Sequence, residues 1–177
     1  MLHRRALFAA GLMIATSAEA QVAAPLLPPP LDDLADLNLN HPSGEATTLG
    51  AHFTPGPAVI QFWATWCGPC VAETRHLVRL RRQLGADRLN IIGVNVQRRD
   101  ADTEAEIARF LERTRPNYTQ LRGDMSAYRA FNNGDTLLLP RLYVFAADGR
   151  PRAAFGRYNG AATFRAIDRA IEGVVAT

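Results

Sequence analysis

Cys67-Gly68-Pro69-Cys70 is a C-x-x-C tetrad, and its two cysteines are the only ones in the 177 residues. Such a pair can cycle between dithiol and disulfide, close as an inert bridge, or supply half of a zinc site. A zinc site needs two further ligands. The histidines are His3, His41, His52 and His76, so a complete site would have to recruit distant ones. An inert bridge of this size closes a loop too small to constrain the unfolded chain much. Thiol–disulfide chemistry is therefore favoured over both. Other chemistries are closed by composition. All 20 basic residues are arginine, so neither a lysine Schiff base nor a P-loop lysine exists. Two cysteines cannot build a multi-disulfide scaffold.

The elements on either side explain how the tetrad would be positioned. Ala58-Val59-Ile60-Gln61-Phe62-Trp63 is an apolar, β-prone run that suits a strand buried on both faces. A helix is expected over 67–84, ended by Gly85. Cys67 then sits at a helix N-terminus, where unpaired N–H groups and the positive dipole end favour its thiolate, the nucleophile of disulfide exchange. Pro69 suits the first turn, and Gly68 leaves the approach to Cys67 open. Cys70 lies one turn on, within reach of Cys67. Cys70, Glu73, Leu77, Leu80 and Leu84 follow 3-4-3-4 spacing and share one helix face. That puts Glu73 on the apolar side beside Cys70, where desolvation should raise its pKa and suit it to proton exchange. The alternative is a glutamate favoured there only by the helix dipole.

The rest of the chain reads as one α/β domain. Residues 36–50 suggest an irregular hairpin around Pro42-Ser43-Gly44. A second buried strand covers 89–96, and a helix covers 102–114 with Ile107, Phe110 and Leu111 inward. A short helix spans 125–131 and a third strand 142–145. Ala147-Asp148-Gly149-Arg150 is a turn signal, so 152–156 should return as a hairpin strand. A closing helix over 161–175 turns Phe164, Ile167, Ile171 and Val174 inward. The order β-α-β-α-(α)-β-β-α gives a mixed sheet flanked by helices.

The N-terminus has a different purpose. His3, Arg4 and Arg5 precede an apolar run from Ala6 to Ala18, and Ala18-Glu19-Ala20 is a small-x-small cleavage site. Residues 1–20 read as a secretory signal peptide, with an uncleaved anchor as the alternative. Residues 21–35, with Pro28-Pro29-Pro30, read as a proline-rich linker, and 36–177 as the folded domain. An exported dithiol meets an oxidising compartment. The net charge of +3 is too small and dispersed for a nucleic-acid protein.

Phe62-Trp63-Ala64-Thr65-Trp66-Cys67-Gly68-Pro69-Cys70 resembles the active-site signature of the thioredoxin superfamily. The export signal, the Ala-Thr between the tryptophans and the helical insertion at 100–116 resemble the TlpA/ResA-like branch of extracytoplasmic oxidoreductases. The resemblance implies a thioredoxin-like fold over roughly residues 36–175. It implies a cis-proline at Leu139-Pro140 facing the dithiol, where an exposed backbone could pair with an incoming peptide. Family members usually carry threonine after that proline, whereas this chain has Arg141. Arg141 either faces Cys67, favouring its thiolate and acidic partners, or lies on the surface. Many thioredoxins have a buried aspartate six residues before the first cysteine; Gln61 stands there and cannot titrate. The ResA-like branch also carries a glutamate matching Glu73.

The expected catalytic residues are thus Cys67, Cys70 and Glu73. Trp66, Gly68, Pro69, Leu139, Pro140 and Arg141 are expected to form the substrate surface, with Trp63 in the core. His76 and the arginines at 75, 79, 81 and 82 are expected on a solvated face. No cofactor beyond the Cys67–Cys70 disulfide and no metal are expected. The expected activity is reduction of disulfides in periplasmic or other extracytoplasmic proteins, for example in cytochrome c maturation, by a monomer recharged from a membrane electron donor. A dithiol oxidase or isomerase, or a copper chaperone on the same scaffold, are the alternatives. The last type uses a longer cysteine spacing and a downstream histidine, and no histidine follows His76.

Overall fold

The computed structural model of the protein describes residues 26–96, 102–132, 134, 136–156 and 158–176. The signal expected at 1–20 and the linker residues 21–25 lie outside the described residues. Residues 31–34, assigned to the linker by composition, instead form a 3-10 turn. Leu31 and Leu34 are buried in the core, and the Leu31 amide donates to the Gly149 carbonyl at 3.0 Å. The folded body therefore begins before residue 36, because two leucines near the end of the proline-rich stretch find an apolar surface to cover.

Asn38–Asn40 (β1) and Ala46–Thr48 (β2) form the expected hairpin. Ala58–Trp63 (β3) is buried at all six positions, as a strand covered on both faces must be. Gly68–Leu84 (α1) follows, with Pro69 in its first turn and Gly85 at its C-cap with φ of 98°, a conformation glycine adopts without steric cost. Asn90–Val96 (β4) lies parallel to β3. Glu104–Thr114 (α2) opens on a capping box between Thr103 and Glu106. Thr119–Gly123 (β5) leads through the Asp124 cap into Met125–Phe131 (α3). Arg141–Phe145 (β6), Pro151–Gly156 (β7) and Gly160–Val175 (α4) complete the chain.

The sheet order is β2-β1-β5-β4-β3-β6-β7. Strands β3, β4 and β5 are mutually parallel, while β6 runs antiparallel to β3. Two parallel crossovers followed by a hairpin were expected, but the second crossover closes on β5, which the sequence reading omitted. Thr119-Gln120-Leu121-Arg122-Gly123 offers a single strongly apolar side chain. It is a strand because β4 pairs with it over five residues and β1 meets its far edge. Tertiary pairing overrides weak local propensity here.

Apolar clusters cover both faces of the sheet. On one, Ile60, Phe62 and Tyr143 pack with Tyr128 and Phe131 of α3. On the other, Val59, Ile91 and Val144 pack with Leu77 and Leu80 of α1 and Ile167 and Ile171 of α4. A third cluster joins Trp63, Ala64, Cys67 and Cys70 to Ile107 and Phe110 of α2. It caps the C-terminal ends of the parallel strands, the end where open α/β sheets place their sites. Among the described residues no helix is long and apolar enough to cross a membrane.

Candidate active site

The chain turns sharply between β3 and α1. The Cys67 amide donates to the Ala64 carbonyl and the Cys70 amide to the Cys67 carbonyl, both at 3.1 Å. Cys67 is the N-cap of α1 in extended conformation, so the first-turn N–H groups and the positive dipole end gather beside its sulfur. Cys67 and Cys70 are joined by a disulfide with their Cα atoms 5.3 Å apart. Cys70 is fully buried and Cys67 is only 4% exposed. Gly68 and Pro69 are exposed and Trp66 is 47% exposed, so these three form the rim around the bridge. Trp63 is buried and stacks on Phe110 with ring centroids 4.0 Å apart.

Beneath the bridge, Glu73 lies one turn after Cys70 on the buried face of α1. Burial pushes its carboxyl pKa up to about 7, against the opposing pull of a hydrogen bond from Gln61. Gln61 Nε2 donates to Glu73 Oε1 at 3.0 Å and to Thr74 Oγ1 at 3.2 Å. The Tyr118 hydroxyl donates to Gln61 Oε1 at 2.9 Å. The residue that cannot titrate is thus the one that holds the residue that can.

The Leu139–Pro140 peptide bond is cis. Pro140 is buried, and Leu139 packs against the cluster containing both cysteines. Arg141 adopts neither orientation left open by the sequence. It pairs with Phe62 across β3 and β6, and directly opposed residues share a sheet face. That face is the one covered by α3, whereas α1 packs on the other. The Arg141 guanidinium lies over Gly156, where a Cβ would collide with it. Arg141 is buried, and its Nε has no partner among the described residues. The structure therefore brings Cys67, Cys70, Glu73, Trp66 and Leu139 into one region and turns the Arg141 side chain away from it.

His76 is not a bare surface residue as expected. Its Nε2 lies 2.6 Å from Asp168 Oδ1 of α4, and its ring stacks on Phe164 at 4.2 Å. Arg81 is also engaged, bonding the carbonyls of Asn117 and Ala86.

Several contributors to the site were not legible in sequence. Asp102 is buried, and its Oδ1 accepts from the Thr65 amide at 2.8 Å and from Asn95 Nδ2 at 3.4 Å. Asn95 Nδ2 also reaches the Trp63 carbonyl at 3.4 Å, so both residues brace the turn leading into Cys67. Thr65, Trp66, Glu106, Arg109, Phe110 and Arg113 line a groove of about 390 Å³ beside that turn. Trp66, beside Cys67 in the nonapeptide, and the inward Phe110 were visible signals in the sequence. The others depend on α2 folding back beside the β3–α1 turn.

The family model described as Redoxin matches residues 30–168. The thiol:disulfide interchange protein HelX of Rhodobacter capsulatus is 35% identical over 66 residues, covering 37% of this chain and 33% of that protein. The chain thus matches about a third of that relative's length. A secreted Mycobacterium tuberculosis disulfide oxidoreductase homologous to E. coli DsbE superposes with a TM-score of 0.64 at 20% identity, covering 80% of this chain and 98% of its own. A putative protein disulfide isomerase from Bacteroides thetaiotaomicron gives 0.66 at 17% identity, covering 89% and 92%. At these identities the two structures establish likeness of fold, which is thioredoxin-like.

Proposed function

Because the chain belongs to the Redoxin family, we propose that it is a thiol–disulfide oxidoreductase working through Cys67 and Cys70. The observation that carries this is the disulfide at the β3–α1 junction, set over a buried Glu73 on the same helix. The relatives named as a thiol:disulfide interchange protein and a disulfide oxidoreductase support the same reading.

We further propose that electrons leave the dithiol. In the reduced protein the Cys67 thiolate attacks one sulfur of a partner disulfide. The Cys67–partner bond forms and the partner's other thiolate departs. Glu73 takes the proton of Cys70, whose thiolate attacks Cys67 Sγ. The Cys67–Cys70 bridge closes and the second partner thiolate is released. Two electrons have passed to the partner, and the proton on Glu73 returns to solvent or product. Regeneration needs a second dithiol, which we assign to a membrane thiol donor. The partners are oxidised cysteine pairs of extracytoplasmic proteins, apocytochrome c haem sites among them.

Trapping tests this directly. Cys70→Ala should leave Cys67 covalently joined to its partner, visible as a reducible adduct on a non-reducing gel. Cys67→Ala should give none. If the Cys70→Ala protein accumulates no mixed disulfide in the exported compartment, the exchange mechanism is wrong. Direction is decided by potential. A value near about −270 mV fits a reductant, and one near about −120 mV a dithiol oxidase.

A further inference from the structure

We propose that Tyr118 is a positioning residue for Glu73, acting through Gln61 across a slot that Gly93 leaves open. The proposal rests on the reading of Glu73 as the proton acceptor for Cys70.

The slot follows from register. Gln61 of β3, Gly93 of β4 and Gln120 of β5 are consecutive partners across three parallel strands, so their side-chain positions share one face. β3 and β5 stand two ladder spacings apart, about 10 Å. A side chain on the middle strand would fill the gap between them. A Cβ at Gly93 would lie 2.5 Å from Gln120 Oε1. With glycine there, Gln120 lies over the strand and accepts from Trp63 Nε1 at 3.0 Å. Tyr118, which enters β5, reaches over the same strand to Gln61 Oε1 at 2.9 Å.

That hydroxyl occupies the accepting end of the Gln61 amide. An amide has one donating end and one accepting end. Tyr118 donates to Oε1 at 2.9 Å, while the Thr74 hydroxyl reaches both ends of the amide, at 3.2 Å from Nε2 and 3.4 Å from Oε1. Nε2 is left to donate to Glu73. Burial pushes the Tyr118 pKa far above its ordinary value, so the hydroxyl keeps its proton throughout the working range. Without it, the amide can turn and present its carbonyl to Glu73. A carbonyl favours the protonated carboxyl, whereas the N–H favours the carboxylate. Tyr118 therefore holds the Glu73 pKa down towards neutrality against the upward push of burial.

The groups facing Glu73 are few. Cys70 and Thr74 lie on its own helix, Gln61 comes from β3, and Tyr118 comes from the segment entering β5. Among the described residues, no charged side chain of α2 or α4 contributes to its shift. Asp168 of α4, across from α1, is occupied by His76.

The test is a carboxyl-carbon NMR titration of Glu73 in the oxidised full chain. Tyr118→Phe should raise the midpoint by about one pH unit. Gln61→Leu should raise it at least as far. The double variant should fall well short of the sum of the two shifts, because Tyr118 acts mainly through Gln61. An unmoved midpoint in Tyr118→Phe, or additive shifts in the double variant, overturns the proposal. If Tyr118→Phe does not fold, the wild-type Tyr118 ring-carbon signal should report the Glu73 midpoint. Absence of that inflection also overturns it. The Glu73 assignment itself is tested separately by Glu73→Gln. If that variant leaves the pH profile of thiol exchange unchanged while Tyr118→Phe still moves the NMR midpoint, the clamp stands and the proton-acceptor role falls.

Discussion

Asp102 Oδ1 accepts the backbone N–H of Thr65 at 2.8 Å, tying the segment before α2 to the turn that delivers Cys67. Asp102 is buried and Thr65 lies two residues before Cys67. Asp102→Ala strands that amide, at a cost of about 1–3 kcal/mol. Asp102→Asn keeps an oxygen in place and should lose less than half as much. Urea unfolding measures the cost. Hydrogen exchange of the Thr65 amide should accelerate at least about tenfold in Asp102→Ala. Equal losses in both variants would show that the contact does not brace the turn.

Glu73 makes the oxidised protein less stable as pH rises. Its folded pKa of about 7 stands above the ordinary 4.5, so the folded state binds the proton more tightly than the unfolded state. Below pH 4.5 both states are protonated and no penalty exists. Between about 4.5 and 7 stability falls, by about 3 kcal/mol in total, and above 7 the loss is complete. Glu73→Gln should abolish this decline, so its advantage over wild type should be larger at pH 8 than at pH 4. Parallel unfolding curves at the two pH values would refute the assignment.

The same substitution should slow thiol exchange without unfolding the protein, and it should remove a step near neutral pH. The rate at which the reduced protein reduces a protein disulfide, followed from pH 5 to 9, is the measurement. Rates that match wild type across that range would sink the proton-exchange role.

The Trp63–Phe110 stack fastens α2 to the dithiol cluster. Phe110→Ala should cost about 3–5 kcal/mol, since a buried ring leaves a cavity. Phe110→Leu should cost less. Denaturant midpoints for the two variants distinguish packing from a local surface effect, which would cost neither much.

Trp66 is the exposed counterpart to Trp63. Trp66→Ala should change stability by no more than about 0.5 kcal/mol. It should raise KM for a protein disulfide substrate by about three- to tenfold while leaving the reaction with oxidised glutathione nearly unchanged. A KM that does not move would remove Trp66 from the partner surface.

The local features were legible because each is written in a short window. The nonapeptide ending in Cys70, the run from Ala58 to Trp63, Gly85 as a helix stop and the 3-4-3-4 spacing through Glu73 all act over one element. β5 was not legible, since a polar pentapeptide with one large apolar residue becomes a strand only beside β4. Missing it hid Tyr118 and Gln120, and with them the partners of Gln61 and Trp63. Arg141 stands directly after Pro140. Its direction could not be read, because a strand residue's face is set by register, and the pairing with Phe62 and Gly156 belongs to β3 and β7. The buried oxygen of Asp102 on the Thr65 amide joins residues 37 apart in sequence.

The sequence by itself determined the dithiol, its strand–helix junction and the buried carboxyl one turn away, because periodicity and helix-end chemistry are local. Only the tertiary structure decided what surrounds that carboxyl and which way Arg141 faces, because hydrogen bonds across strands depend on register, and register is a property of the whole sheet.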